Sequence, residues 1–138
     1  MAKKFRLTAQ KPFIPDEYAE QCVVFEWLKY CKLDGADLAF SSLYGIRLPI
    51  GLAVKAKKAG MKSGVPDIFL PVPRTFFETK AGHELWYHGL FIEMKREKGG
   101  VVSQAQKDWR EALESRGYKV VVAKGAKEAI AAIKEYLD

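Results

Sequence analysis

The 138-residue sequence is poor in the residues that form disulfides and zinc sites. It has two cysteines and two histidines, and no cysteine pair at zinc-site spacing, so we expect no structural zinc ion. Cys22 and Cys31 fall in one predicted helix, where they are too far apart for a disulfide. We therefore expect two reduced core cysteines in a cytoplasmic protein.

Long hydrophobic runs are also absent. No stretch approaches the roughly 18 apolar residues that cross a membrane, and the N-terminal residues lack the apolar core of a signal peptide. Apolar residues make up 49% of the chain and charged residues 29%, as in ordinary globular domains. This composition argues against a membrane protein. It predicts one domain over residues 14–138, preceded by a basic flexible arm at residues 1–13.

Acidic residues are outnumbered by basic ones. The formal net charge is +6 at pH 7, which favours a polyanionic partner such as nucleic acid without requiring one. A short basic helix predicted over residues 49–59 carries much of this charge, either as a track for phosphates or as a solvated face. The candidates for contacts to DNA phosphates are Arg47, Lys55, Lys57, Lys58, Lys62 and Lys98.

Alternating helix and strand patterns predict an α/β fold. Helices are predicted over residues 15–33, 49–59, 103–116 and 126–137, and strands over 67–72, 85–95 and 118–123. Residues 38–48 form a short strand and turn in this prediction, and residues 73–84 a hairpin-like loop. The β-α-β-α order of the second half indicates a parallel strand pair with a right-handed crossover. We expect a small mixed β-sheet flanked by helices on both faces.

Two of the most strand-like segments contain charged residues, which are costly to bury without partners. Asp67 opens the first segment, GVPDIFLPV, and Glu93 and Lys95 lie in the second, GLFIEMK. Because strand side chains alternate between faces, Glu93 and Lys95 share a face, roughly 7 Å apart along the strand. If the two strands pair, one surface holds two carboxylates and an ammonium group. A salt bridge on a solvated face is the simpler alternative.

Such a surface has a chemical use. Two carboxylates and a backbone carbonyl provide the oxygen ligands that Mg²⁺ prefers. A metal ion there polarises a phosphoryl oxygen and activates water, and a nearby lysine orients the water or stabilises charge on the phosphate. The pattern is therefore suited to phosphodiester hydrolysis.

Five short motifs in one order resemble the virus-type replication-repair nuclease (VRR-NUC) domain of the PD-(D/E)xK superfamily. They are EQCVVFEWL, SGVPDIFLPV, YHGLFIEMK, SQAQKDW and RGYKVVVAKGAKEAIAAIKEYL. The resemblance covers residues 16–137. It implies a restriction-endonuclease-like fold and a metal-dependent DNA endonuclease using Mg²⁺ or Mn²⁺. Many proteins of this kind are small standalone phage or prophage proteins.

The resemblance also implies roles for individual residues. Asp67, Glu93 and the backbone carbonyl of Met94 would bind the metal, and Lys95 would be the catalytic lysine. Gln106 matches the family glutamine that follows the lysine strand, and it also completes a capping box begun by Ser103.

Superfamily members take a further acidic residue from the first helix, and here the sequence departs from the pattern. Gln21 holds the deepest position, with Glu17 and Glu20 beside it, so any of the three could serve the metal or the reaction. The family's Asn-Gly before the basic helix is replaced by LYGIRL, which leaves the roles of Tyr44 and Arg47 in DNA contact open.

The implied substrate is branched DNA, such as four-way (Holliday) junctions, in the cytoplasm of a bacterium or phage host. The family also suggests a homodimer, which would supply the two active sites that symmetric junction cutting needs. The alternative is a catalytically inactive DNA-binding subunit of a repair or packaging complex. The intact Asp67, Glu93 and Lys95 argue against that alternative, since binding alone does not need them.

Overall fold

Helix α1 (Glu17–Tyr30) begins at Asp16, whose side chain accepts a hydrogen bond from Ala19 N at 2.8 Å. The computed structural model describes residues 13–43 and 46–138 of the chain. The helix ends earlier than predicted, because the chain turns before Gly35, whose φ of 83° starts a short 3₁₀ helix, Ala36–Leu38. The predicted basic arm, apart from Phe13, lies outside the described residues.

The expectation that both cysteines are core residues was wrong for Cys22. Val24 and Leu28 form the buried stripe of α1, and Cys31 is partly buried against the same core. Cys22 is exposed because it lies two positions before Val24, on the other side of the helix.

Within residues 13–43 and 46–138, four strands form the main sheet. Their spatial order is β1 (Phe40–Ser41), β2 (Ile68–Leu70), β5 (Leu90–Lys95) and β6 (Lys119–Lys124). Strand β2 is antiparallel to both β1 and β5, whereas β5 and β6 are parallel and are connected through helix α3 (Gln104–Ser115). The predicted mixed sheet and parallel crossover are confirmed.

A hairpin lies between β2 and β5. Its strands, β3 (Arg74–Glu78) and β4 (His83–Tyr87), form a separate two-stranded sheet. The single strand predicted over residues 85–95 was wrong, because the chain breaks at Gly89. A Cβ at Gly89 would lie 2.9 Å from the carbonyl oxygen of Leu70, so the break is tightly packed. The predicted loop over residues 73–84 reverses direction as expected, but most of it is strand.

The two faces of β5 differ as strand alternation predicts. Leu90, Ile92 and Met94 are fully buried and pack with α1 and with helix α4 (Gly125–Leu137). The opposite face carries Glu93 and Lys95, and α3 packs over that side of the sheet. Helices therefore cover both faces, and the charged residues lie under α3.

The basic segment forms helix α2 (Ile50–Lys58), as predicted. All residues of α2 belong to the described part of the chain, and none of them is buried. Its lysines lie in the last turn, where the helix dipole favours positive charge. In residues 13–43 and 46–138, no helix has the length and apolar character needed to cross a membrane.

Candidate active site

The pairing of β2 with β5 brings the two predicted carboxylates together. The register pairs Ile68 with Ile92, so the next pair along the strands is Asp67 with Glu93. Directly opposed residues point to the same face, with Cβ atoms about 4.5–5.5 Å apart. Asp67 Oδ2 accepts a hydrogen bond from Met94 N at 2.7 Å, which anchors this carboxylate just before the first residue of β2. The carboxylates thus meet although many residues separate them in sequence.

Lys95 lies beside the same carboxylates. Glu93 is 4% exposed and Lys95 is 5% exposed, so these charges are not on a solvated face. Lys95 Nζ lies 3.5 Å from Glu93 Oε1 and 3.9 Å from Glu17 Oε1. The ammonium group is therefore held between carboxylates from β5 and α1.

Gln106 connects α3 to this group. Its Oε1 accepts a hydrogen bond from Ser103 N at 2.9 Å, and its Nε2 donates to Glu93 Oε1 at 2.6 Å. The capping box and the contact with Glu93 therefore exist together. Because Ser103 N–H occupies the amide oxygen, Gln106 presents its donor to Glu93 and favours the ionised carboxylate.

Burial raises the pKa values of both acids. Burial is the main cause for Glu93, and the charge of Asp67 adds to it. Against the opposing effect of Lys95, the pKa of Glu93 rises to about 8. Burial also raises the pKa of Asp67, although the hydrogen bond from Met94 N opposes this shift. The charge of Asp67 disfavours ionisation of Glu93, whereas a hydrogen bond from protonated Glu93 favours the ionised form of Asp67. A cation at this site would stabilise the ionised form of both acids.

One oxygen of Glu93 is free to bind such a cation. Glu93 Oε2 is buried and has no hydrogen-bond partner among the described residues. A buried acceptor without a partner is destabilising, and it is a common feature of sites that bind a ligand or an ion.

The carbonyl of Met94 is a further candidate ligand. One more step of the β2–β5 register places Pro66 opposite Met94, and the N–H and C=O of a strand residue point to the same side. Proline has no N–H, so it cannot donate to the Met94 carbonyl at that position. Asp67, Glu93 and this carbonyl form an oxygen donor set that fits Mg²⁺ or Mn²⁺, with water and substrate completing the shell.

Glu20 is engaged elsewhere. Its Oε2 accepts a hydrogen bond from Ala126 N at 2.7 Å, at the N-terminus of α4. Gly125, the residue before Ala126, has a φ of 82°, in the left-handed region that favours glycine. The carboxylate therefore satisfies one of the free N–H groups of a helix start.

Glu17 and Gln21 lie nearer to the paired carboxylates. Both line a small open cavity of about 60 Å³ that Asp67 also lines. Gln21 Nε2 donates to Ser41 Oγ at 2.8 Å, and Glu17 faces Lys95. In residues 13–43 and 46–138, no three His, Cys, Asp or Glu side chains cluster in a metal-binding arrangement.

The candidate DNA contacts lie on the surface. Arg47 precedes α2, three lysines lie in its last turn, and the others follow α2 and β5. All six residues are exposed, and none forms an ion pair with a described residue. They are Arg47, Lys55, Lys57, Lys58, Lys62 and Lys98. Their charges are thus available to phosphates. Tyr44 lies outside the described residues.

The comparisons with known proteins agree with this geometry. The family model for the VRR-NUC domain matches residues 12–127. The chain belongs to the VRR-NUC family. A solved structure described as a "VRR_NUC domain protein" shares 31% identity and a TM-score of 0.69 with this VRR-NUC chain, covering 90% of this chain and 89% of the other. Comparison with curated proteins gives no match. The domain is a nuclease domain, and its substrate is DNA.

Gly100 is a residue of this VRR-NUC domain that sequence analysis did not identify as part of the site. A Cβ at Gly100 would lie 2.9 Å from Lys95 Cβ and 3.3 Å from Lys95 Cδ. The absence of a side chain therefore lets the Lys95 stem lie where its ammonium group reaches Glu93. The double glycine after the lysine strand was the available signal for this role.

We expect Gly100→Ala to slow DNA cutting by at least about tenfold, because small displacements of a catalytic group have large effects on rate. Initial cutting rates would be compared with those of Thr79→Ala, at an exposed position of the β3–β4 hairpin. Thr79→Ala should cut like the wild type. Wild-type rates in Gly100→Ala would show that the contact with Lys95 is unimportant.

We expect Asp67→Asn to stabilise the protein in the presence of a chelator at about pH 9, above the pKa of Glu93, where both acids are ionised. Asparagine keeps an oxygen for Met94 N but removes one of two repelling charges, a gain on the order of 1 kcal/mol. Thermal unfolding should show a Tm about 3 °C higher than the wild type. Asp34→Asn, at an exposed carboxylate in the turn after α1, is the control and should leave the Tm unchanged. A lower Tm for Asp67→Asn would contradict the argument.

Proposed function

We propose that this VRR-NUC chain is a divalent-metal-dependent endonuclease that cuts branched DNA, including four-way junctions. The observation that carries the metal dependence is the buried, unpartnered Glu93 Oε2 next to Asp67. A site with one buried and one partly buried acid, both of raised pKa, and one free oxygen is poorly suited to a purely structural role. We place this activity in the cytoplasm of a bacterium or phage host, which accords with two free cysteines.

Each residue of the site has a proposed task. Asp67, Glu93 and the Met94 carbonyl would hold Mg²⁺ or Mn²⁺, which when bound neutralises phosphate charge and acidifies water. Lys95, 3.5 Å from Glu93, would orient the attacking water or stabilise the negative charge that develops on the phosphate.

Two further residues would hold this arrangement in place. Gln106 holds the Glu93 carboxylate through its 2.6 Å hydrogen bond, and Glu17, 3.9 Å from Lys95 Nζ, would direct the ammonium group into the site. Neither needs to contact the substrate for this task.

The exposed cations around α2 would hold the DNA. Lys55, Lys57 and Lys58 occupy one turn, and lysines on such a turn can follow a phosphate backbone. Contacts to phosphate position DNA without reading its bases, so we propose recognition of DNA structure rather than sequence.

Exposed apolar side chains support a homodimer. Ile50 is 86% exposed, Leu52 54% and Val54 48%, all on a helix that buries none of its described residues. Apolar groups concentrated on one exposed element commonly mark an interaction surface. A second copy of the chain would cover them and would place two active sites on one junction.

Incubation of a labelled four-way junction with the protein and Mg²⁺ or Mn²⁺ tests the enzyme. We expect cutting that a chelator abolishes, and a loss of at least about 1,000-fold in Asp67→Ala and Lys95→Ala, because each removes a group essential to the reaction. Both variants should still bind the junction. Lys29→Ala, which removes an exposed ion pair with Glu26, is the matched control and should cut normally. Binding of the junction without cutting in either metal would instead favour an inactive DNA-binding subunit.

Analytical ultracentrifugation tests the dimer. The wild type should sediment as a dimer at micromolar concentration, and Ile50→Glu should sediment as a monomer with an unchanged Tm, because the new charge would lie in the interface. Phe77→Glu, at a residue 66% exposed on the β3–β4 hairpin, should remain dimeric. A monomeric wild type would exclude the proposed assembly.

A further inference from the structure

The cavity beside Asp67 has a rim that the proposed reaction does not use. Its polar residues are Glu17, Gln21, Ser41 and Asp67, and the rest of its lining is apolar or aromatic. That remainder consists of Tyr18, Leu43 and Ile46, which are 65%, 55% and 43% exposed. A flat ring and two aliphatic side chains thus stand in water next to a catalytic carboxylate.

This rim is held in place by a chain of hydrogen bonds. Ser41 Oγ accepts one from Gln21 Nε2 at 2.8 Å and one from Leu43 N at 3.0 Å. Leu43 has a φ of 58°, a left-handed conformation that is uncommon for leucine. Strain of this kind persists where neighbouring contacts maintain it, and it concentrates at functional sites.

We propose that this rim, formed by Tyr18, Leu43 and Ile46, receives a nucleoside that has left the base stack next to the phosphate bound at Asp67. The inference rests on the proposed function and deepens it. Asp67 itself lines the cavity, so a phosphate at the paired carboxylates places its neighbouring sugar and base beside the rim. The cavity is too small to enclose a base, and the base therefore lies across its mouth against the Tyr18 ring.

This arrangement selects DNA by structure. Bases stack on aromatic side chains regardless of sequence, because every base has a π-face. A base inside a continuous duplex stays stacked and paired, whereas a base at a branch or a single-stranded end leaves the stack at lower cost. The rim thus favours branched DNA over duplex, in addition to the lysine contacts, which hold both kinds alike.

The test compares binding to two DNAs of the same sequence, a continuous duplex and a duplex with a single-stranded branch. Fluorescence anisotropy would be measured with Ca²⁺ in place of Mg²⁺, so that a cation still holds the phosphate at the carboxylates, and a gel would verify that the DNA stays uncut. The wild type should bind the branched DNA more tightly. Tyr18→Ala should weaken binding of the branched DNA about tenfold and leave duplex binding unchanged, whereas Tyr18→Phe, which keeps the ring, should stay within about twofold of the wild type.

A matched control lies on the same helix. Tyr30 is 73% exposed at the other end of α1, and Tyr30→Ala should bind both DNAs like the wild type. Leu43→Gly is a second test variant, because it removes part of the rim and tolerates the left-handed φ, and it should also weaken binding of the branched DNA alone. Unchanged Tm values would show that the variants are folded.

Three results would overturn the inference. Tyr18→Ala and Leu43→Gly could retain the wild-type preference, Tyr18→Ala could weaken both DNAs equally, or the wild type could show no preference. If the wild type still cuts junctions with Mg²⁺ in any of these cases, the inference fails and the proposed function stands. Absence of both cutting and binding would remove the proposed function, and this inference with it.

Discussion

The hydrogen bond from Met94 N to Asp67 Oδ2 is the contact on which the candidate site depends. It forms just before β2 begins, and it replaces a bond of the strand ladder with one to a side chain. It holds the Asp67 carboxylate beside Glu93, because a backbone N–H stabilises the negative charge of Asp67. The register of one antiparallel strand pair therefore decides that two acids far apart in sequence face each other.

The surrounding contacts offset part of the free-energy cost of burying these charges. Lys95 compensates for part of the negative charge, and Gln106 fixes one oxygen of Glu93. The remaining oxygen is left without a partner among the described residues. A fold optimised for stability alone would favour fewer charges here, which is the usual conflict between stability and function at an active site. The free oxygen is what makes the cluster suited to a cation.

In the proposed function, selection of DNA by its structure depends on features outside this cluster. The lysines of α2 provide positive charge without contacts to base edges, and the rim beside Asp67 provides apolar and aromatic surface without charge. Charge of this kind attracts any nucleic acid, whereas stacking needs a base that has left its stack. In the function that we propose, the two features together distinguish a branch from a duplex.

The sequence by itself determined what depends on local periodicity. Alternation along β5 put Glu93 and Lys95 on one face, and the Ser103–Gln106 spacing gave the capping box. The order of elements also gave the parallel pair of β5 and β6, while the family of the chain was recognisable from the residues of its motifs.

Only the tertiary structure decided the partners of residues distant in the chain. Glu20 binds Ala126, which is 106 positions away, and Gly100 makes room for Lys95. Sequence analysis missed the exposure of Cys22 and the break at Gly89 for the same reason. A repeat in sequence specifies which face a side chain occupies, but not what the rest of the fold places against that face.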